Sequence, residues 1–259
     1  MATGLLIVGL GHATRLLGHL AGKDKQYTAM IRLGQATTTD DAEGDPLGVG
    51  VDATWLPCEV IEQAMSSYMG TIDQVPSTVS AIKVDGKRAY ARARAGEEIH
   101  LKPRAVNVSR FEMDSRVDDP PWVDLAVTVD CSAGTYIRAL GRDLGNDLKV
   151  GGHLTALRRT RVGKLSVDDA VTLDHVGIGS VLAMGVVAPH IAPRVDVGVA
   201  TARDVAVGRA INVHLPGDLA SIFSGSRLLA LYRPDPTDAN LARPVAVFVD
   251  PIRHGGSPS

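Results

Sequence analysis

The stretch CSAGTYIRALGRDLG, residues 131–145, decides the fold. It overlaps the end of WVDLAVTVDCS (122–132), where Val123, Leu125, Val127 and Val129 alternate with other residues at the period of a half-buried strand. Gly134 then breaks the pattern, and GTYIRALGRDLGNDL (134–148) reads as a helix entered from a glycine. Tyr136 and Arg138 stand two apart across this strand-to-helix junction, on the same side where the backbone is extended. A ring beside a guanidinium suits a flat heterocycle that carries an anion, because the ring stacks and the fork pairs. A core tyrosine with a surface ion pair fits the same two residues equally well.

Outward from this junction, strands and helices mix without a regular strand–helix–strand rhythm, which favours an α+β fold over a doubly wound parallel sheet. YTAMIRLG (27–34) alternates as a strand, TTTDDAEGDPLG (37–48) is a loop by composition, and LPCEVIEQAMSSYMG (56–70) has helical rhythm between Pro57 and Gly70. Residues 71–86 read as irregular, and KRAYARARAGEEI (87–99) as a short helix ended by Gly96. In GGHLTALRRTRVGKLSVDDA (151–170) two glycines lead into an apolar strand or helix start and then an arginine cluster. At the other end, Leu5, Leu6, Ile7, Val8 and Leu10 form an apolar run that reads as a buried strand. VVAPHIAPRV (186–195) is a proline-marked connector; it separates residues 1–190 from a small unit at 196–252, with a helix at 201–208 and strands at 226–233 and 243–250. Residues 253–259 read as a disordered tail.

Composition bounds the function classes. The two cysteines, Cys58 and Cys131, form no CxxC pair, so a reduced, cytoplasmic compartment is expected and a cysteine metal site is not. The opening apolar run is too short to cross a bilayer, and no membrane association is expected. No GxGxxG, Walker A, GxSxG, HExxH or EF-hand pattern is present, so neither a cofactor nor a metal is expected. The formal net charge is −2, yet residues 83–110 carry eight positive and three negative side chains. A second basic cluster follows at Arg158, Arg159, Arg161 and Lys164. Phosphate contacts are local, so such patches bind a polyanion on a nearly neutral protein, although solvated charged faces produce the same pattern.

Four words now stand in order: KxYxAxIRLGxxTxTxDAEG, QxPxxxSAxKxxGxxxYxxAR, CSxGTYIRxLxxDLG and GGHxxxLRRxxVG. Together they resemble the TruB-type tRNA pseudouridine synthases, which isomerise uridine-55 in the T loop of tRNA. The resemblance runs from the first residue to about residue 175. It implies a pseudouridine synthase fold, with a mixed, largely antiparallel sheet, flanking helices and a thumb insertion. A small PUA-like RNA-binding β domain is expected at 196–252, where no sharp motif marks it.

By the same resemblance, Tyr27 stacks on the flipped base and serves as general base. Tyr136 and Leu157 line the uridine pocket. Residues 71–106 form the thumb, with Lys83, Lys87, Arg88 and Arg104 as phosphate contacts. The implied partner is the T arm of tRNA, bound by a monomer. The family's word GTLDPxATGLL carries the nucleophilic aspartate, and MATGLL is its second half, so that aspartate is expected upstream of Met1. Arg138 is expected to pair with it, and to be unpaired here. Asp24, Asp40, Asp41 and Asp143 do not sit in the family's nucleophile position and are not expected to replace it. The chain as written is therefore expected to be inactive. A non-catalytic tRNA-binding or tRNA-folding protein on the same scaffold is the alternative.

Overall fold

The computed structural model describes residues 2–77, 83–84, 87–88, 101–238 and 240–249. The chain divides into two compact units: Met1–Leu5, Gly22–Val162 and Ser166–Asp168 form the first, and Leu6–Ala21, Gly163–Leu165 and Asp169–Ser259 the second. Among the described residues no helix is long and apolar enough to cross a membrane.

The first unit contains β1 (Ala2–Gly4), β2 (Lys25–Leu33), the short pair β3 (Ala36–Thr37) and β4 (Pro46–Leu47), and β5 (Gly70–Gln74). A second short pair, β6 (Lys83–Val84) and β7 (Lys87–Arg88), precedes β8 (Arg104–Asp119), β9 (Trp122–Cys131) and β10 (Gly152–Val162). The main sheet has the order β1-β10-β2-β9-β8-β5. Only β1, against β10, is parallel among these neighbours.

Strict alternation in β9 buries Val123, Leu125, Val127, Val129 and Cys131 on one face. The register sets Leu125 beside Ile31 and Val127 beside Ala29, so β2 adds Ala29, Ile31 and Leu33 to that face. The helices α2 (Cys58–Ser66) and α3 (Ile137–Asp147) bring Ile61, Met65, Leu140 and Leu144 into the same core cluster. Across β2 and β9, Arg32 pairs bidentately with Asp124 at 2.8 and 2.7 Å, and its guanidinium lies 5.0 Å from the Trp122 ring. A one-residue slip would break this pair and turn the core residues outward, so the register is doubly specified.

The second unit has a five-stranded sheet, ordered β12 (Arg194–Asp196), β14 (Ala220–Ser224), β15 (Arg227–Pro234), β16 (Leu241–Val247) and β13 (Ile211–Asn212). The short β11 (Leu165–Ser166) precedes it in the chain. Among the described residues this unit has three α-helices: α1 (Thr14–Ala21), α4 (Met184–Ile191) and α5 (Val199–Ala206). Leu16, Leu20, Ile191, Phe223 and Leu231 share one buried cluster; Val205, Ile222, Ala230 and Tyr232 share another. This unit takes in more chain than the 196–252 segment marked by composition, because residues 6–21 and 169–192 pack within it.

Two expectations are corrected. The opening run is not a buried strand: the strand covers Ala2–Gly4, Leu5 is buried with its amide donating to the Arg159 carbonyl at 2.8 Å, and Leu6, Val8 and Leu10 are exposed. Gly4 stands at φ +93, where a Cβ would lie 2.2 Å from the Arg159 carbonyl oxygen, and this left-handed residue ends the extended segment. Residues 71–74, expected to be irregular, belong with Gly70 to β5, paired in register from Gly70 with Val108 to Gln74 with Arg104. The helix expected at 87–99 lies outside the described residues except for Lys87 and Arg88, which are extended in β7; the tail 253–259 lies outside them altogether.

Candidate active site

Tyr136 caps the N-terminus of α3 with extended backbone (φ −101°, ψ 105°), and Arg138 lies in the first turn. The expectation that Arg138 is unpaired is wrong. Its Nη1 donates to Asp41 Oδ2 at 2.7 Å and to the Thr39 carbonyl at 3.3 Å. The partner was missed because Asp41 sits 97 residues away in a segment read as a loop. That loop is a built turn. Thr37 Oγ1 donates to the Asp41 carbonyl at 2.7 Å, and Asp41 Oδ1 accepts from Thr39 Oγ1 at 2.5 Å and the Glu43 amide at 3.1 Å.

Asp41 is 4% exposed. Burial alone pushes its carboxyl up, but the Thr39 hydroxyl, the Glu43 amide and the Arg138 guanidinium outweigh it and hold the group below its usual range. Asp40 behaves oppositely: burial raises its pKa, with the Arg142 guanidinium, 3.1 Å away, pulling against that rise. Of the other carboxylates in these words, Asp143 accepts from Arg142 Nε at 2.8 Å.

Tyr27 and Leu157 meet on the sheet. Tyr27 faces Arg159 across β2 and β10, and Leu157 faces Ala29, so the two are diagonal neighbours on the face that carries Ala29 and Ile31. Both pack against the core cluster while staying partly exposed. Burial raises the Tyr27 pKa and the nearby Arg159 guanidinium opposes it; the net shift is upward, so the phenol holds its proton at neutral pH. Arg159 Nε is anchored on the Leu5 carbonyl at 2.8 Å.

The Asp41 turn connects the two groups of residues through β10. Asp41 bridges Leu154 in parallel; the Ala42 amide donates to the Leu154 carbonyl at 2.8 Å and the Leu154 amide to the Asp40 carbonyl at 3.1 Å. Three residues further along β10, Leu157 pairs with Ala2, and its carbonyl accepts from Thr3 Oγ1 at 3.3 Å. One edge of β10 thus carries first the Arg138–Asp41 pair and then the strand that leads from the ATG word.

Of the basic residues, Lys83 and Arg88 are register partners in the β6–β7 hairpin, with Lys87 opposite Val84. Arg104 is exposed where β8 begins. Sequence reasoning missed Gln74, Ser77 and Arg142. All three lie at or near the start of the second word or inside the third, but only their partners on distant segments reveal what they hold.

A family model described as TruB family pseudouridylate synthase (N terminal domain) matches residues 1–137, and one described as tRNA pseudouridylate synthase B C-terminal domain matches residues 138–183. A tRNA pseudouridine synthase B of Cutibacterium acnes is 46% identical over 96% of this chain and 85% of its own length. One of Mycobacterium tuberculosis is 43% identical over 99% of this chain and 86% of its length. One of Nocardia farcinica is 58% identical over 67% of this chain and 56% of its length. Among solved structures, a chain in a Cbf5–Nop10–Gar1 complex aligns with TM-score 0.65 and 25% identity, over 96% of this chain and 72% of that one. A chain in an H/ACA RNP bound to a substrate RNA containing 2′-deoxyuridine aligns with TM-score 0.62 and 22% identity, over 94% of this chain and 71% of that one, a likeness of fold. By sequence, by the matched family models and by fold, the chain belongs to the TruB family of pseudouridylate synthases.

Proposed function

We propose that this protein isomerises uridine-55 in the T loop of tRNA to pseudouridine, as a cytoplasmic monomer that grips the T arm. The observation that carries the reading is the buried Asp41–Arg138 pair, fixed beside the uridine-pocket residue Tyr136 and joined through Leu154 to the strand of Leu157. The reaction is redox-neutral: the C–N glycosidic bond breaks, the base rotates, and a C–C bond to the ribose forms. The base must leave the stack to react. Tyr136, Leu157 and the ring of Tyr27 receive it. Tyr27 enters with its proton on; N1, once released from the ribose, takes that proton, and the phenolate left behind accepts the proton that C5 loses after the C–C bond forms.

The nucleophile is the aspartate of the family's GTLDPxATGLL word, three residues ahead of the alanine that is Ala2 here. That aspartate precedes the strand of Ala2, which pairs with Leu157 on the edge of β10 where Asp41 bridges Leu154 three residues away, and this brings the nucleophile toward Arg138. Arg138, already held by Asp41, then keeps the nucleophile ionised and aimed. The second unit serves as a PUA-like RNA-binding domain.

The test uses a T-arm stem-loop and full tRNA, with the chain as written and with the GTLDP word placed ahead of Met1. The expected result is RNA binding by both and pseudouridine formation by the extended chain alone. Binding without isomerisation by either would replace the enzyme with a tRNA-binding protein, and isomerisation by the shorter chain would overturn the role given to the upstream aspartate. Lys83, Lys87, Arg88 and Arg104 supply phosphate contacts. Replacing all four with alanine should flatten the slope of log Kd against log salt by about 3, at roughly 0.7–0.9 per neutralised phosphate. An unchanged slope would remove them from the interface.

A further inference from the structure

We propose that Gln74 is a positioning residue that clamps Tyr136 and the start of α3 to the root of the thumb, and so sets the uridine pocket in register with the RNA grip. The inference rests on the pseudouridine synthase reading and names a residue that the four words leave without a role. Gln74 ends β5 and is 2% exposed. Both ends of its side-chain amide bind one residue. Nε2 donates to the Tyr136 carbonyl at 3.0 Å, and the Tyr136 amide donates to Oε1 at 2.8 Å. The side chain thereby imitates a strand partner for a residue that has left β9 and has no side-chain cap of its own at the head of α3.

Two neighbouring contacts tie the same few residues to the catalytic turn. Arg142 Nη2, one helical turn beyond Arg138, donates to the Val75 carbonyl at 2.8 Å. Ser77, fully buried, donates to the Thr39 carbonyl at 3.3 Å, the carbonyl that also accepts from Arg138. Residues 74–77 therefore touch the pocket tyrosine, the arginine helix and the Asp41 turn before the chain enters the basic segment. Gln74 is the only one of these contacts that fixes the Tyr136 peptide itself. An amide fits because Tyr136 presents one donor and one acceptor, and the Gln side chain carries the matching acceptor and donor side by side on one planar group without titrating. Asn is one methylene too short for the same span.

The test compares wild type, Gln74→Leu and Gln74→Glu in the full chain, by amide hydrogen exchange over residues 132–144 and by T-arm RNA affinity, with a thermal melt of each. Gln74→Leu should speed exchange at the Tyr136 amide and weaken RNA binding, each by about tenfold, the order of two lost neutral hydrogen bonds. Gln74→Glu keeps the acceptor but sets a carboxylate against the Tyr136 carbonyl. Protonation returns the donor, so its affinity relative to wild type should recover as the pH falls from 8 toward about 5. Affinity read at a temperature where the melts show both proteins folded separates positioning from loss of fold, and Gln74→Glu decides the matter if Gln74→Leu does not fold. Affinity and exchange unchanged in Gln74→Leu, or a Gln74→Glu deficit independent of pH, would overturn the inference. If wild type itself fails to bind T-arm RNA, the functional reading falls, and the exchange measurement alone then decides whether Gln74 holds Tyr136.

Discussion

Asp41→Ala should destabilise the first unit by about 3 kcal/mol, at the low end of what removing one partner of a buried ion pair costs. In a domain of this size that is a fall in Tm of about 6–12 °C. The cost arises because Arg138 keeps its charge. Its side chain is 21% exposed, so losing Asp41 leaves a guanidinium that water reaches only in part. The Thr39 hydroxyl and the Glu43 amide lose their acceptor at the same time. Arg138→Met removes the charge from the other side. The double variant should be less destabilised than the two single losses added together, by more than about 1 kcal/mol. Additive losses in calorimetry would show that the pair is not a pair energetically.

The pH dependence has a defined sign. Asp41 titrates below its unfolded value, so the unfolded chain binds more protons there, and the stabilisation is complete above the unfolded pKa of about 4. It is lost as pH falls through the folded pKa. The gap between wild type and Asp41→Ala should therefore close in acid and stay constant from about pH 5 upward. Asp40 runs the other way: its raised folded pKa makes its contribution decline as pH rises above about 4. Subtracting the Asp41→Ala profile from wild type isolates the first effect. In a chain that carries the nucleophile, the same substitution should cut turnover as well, because Arg138 then loses the carboxylate that fixes its aim.

Which parts of this unit were legible in the sequence follows from what each part depends on. β2 and β9 each bury one face against α2 and α3, and a period of two records that directly. α3 follows a glycine and keeps Leu140 and Leu144 on one side, which a helical period records as well. β8 is the longest strand and was not seen. Register shifts after Val108 and after Met113 move its buried positions from one parity to the other, so no single alternation runs through it. The opening run failed for the opposite reason: its apolar side chains are real, but the strand ends at Gly4, and past Leu5 the run leaves β10 with Leu6, Val8 and Leu10 exposed.

At the site, Tyr136 and Arg138 stand out at the strand-to-helix junction and Tyr27 and Leu157 through the resemblance, whereas Asp41 and Gln74 act on residues 97 and 62 positions away. No local pattern encodes which carboxylate meets which guanidinium. The words do preserve both partners, and the fold alone brings them together.

Gly145→Ala should destabilise the protein by about 3 kcal/mol, the upper end of the usual cost of overpacking, although alanine is the better helix former. Gly145 belongs to the DLG of the third word, and Gly151 and Gly152 open the fourth. The structure explains why both words carry glycine: they are the two sides of one contact. A Cβ on Gly145 would lie 2.2 Å from the Gly152 nitrogen and 2.3 Å from the Gly151 carbonyl carbon. A Cβ on Gly152 would lie 2.6 Å from the Gly141 carbonyl oxygen. These are backbone atoms, which cannot rotate aside as a side chain can. Insertion must lift the end of α3 off the start of β10, and that separates Arg138 on one element from the Leu154 bridge to Asp41 on the other. Gly18→Ala is the control. Gly18 lies inside α1, and a Cβ there would meet nothing within 4 Å. It should stabilise its own helix by about 0.5–1 kcal/mol, from the lower entropy of the unfolded chain. The same methyl group is thus expected to have opposite signs at the two positions. A Gly145→Ala protein that melts at or above wild type would mean that α3 and β10 are not held by backbone contact, and the reading of the two words as one joint would fall with it.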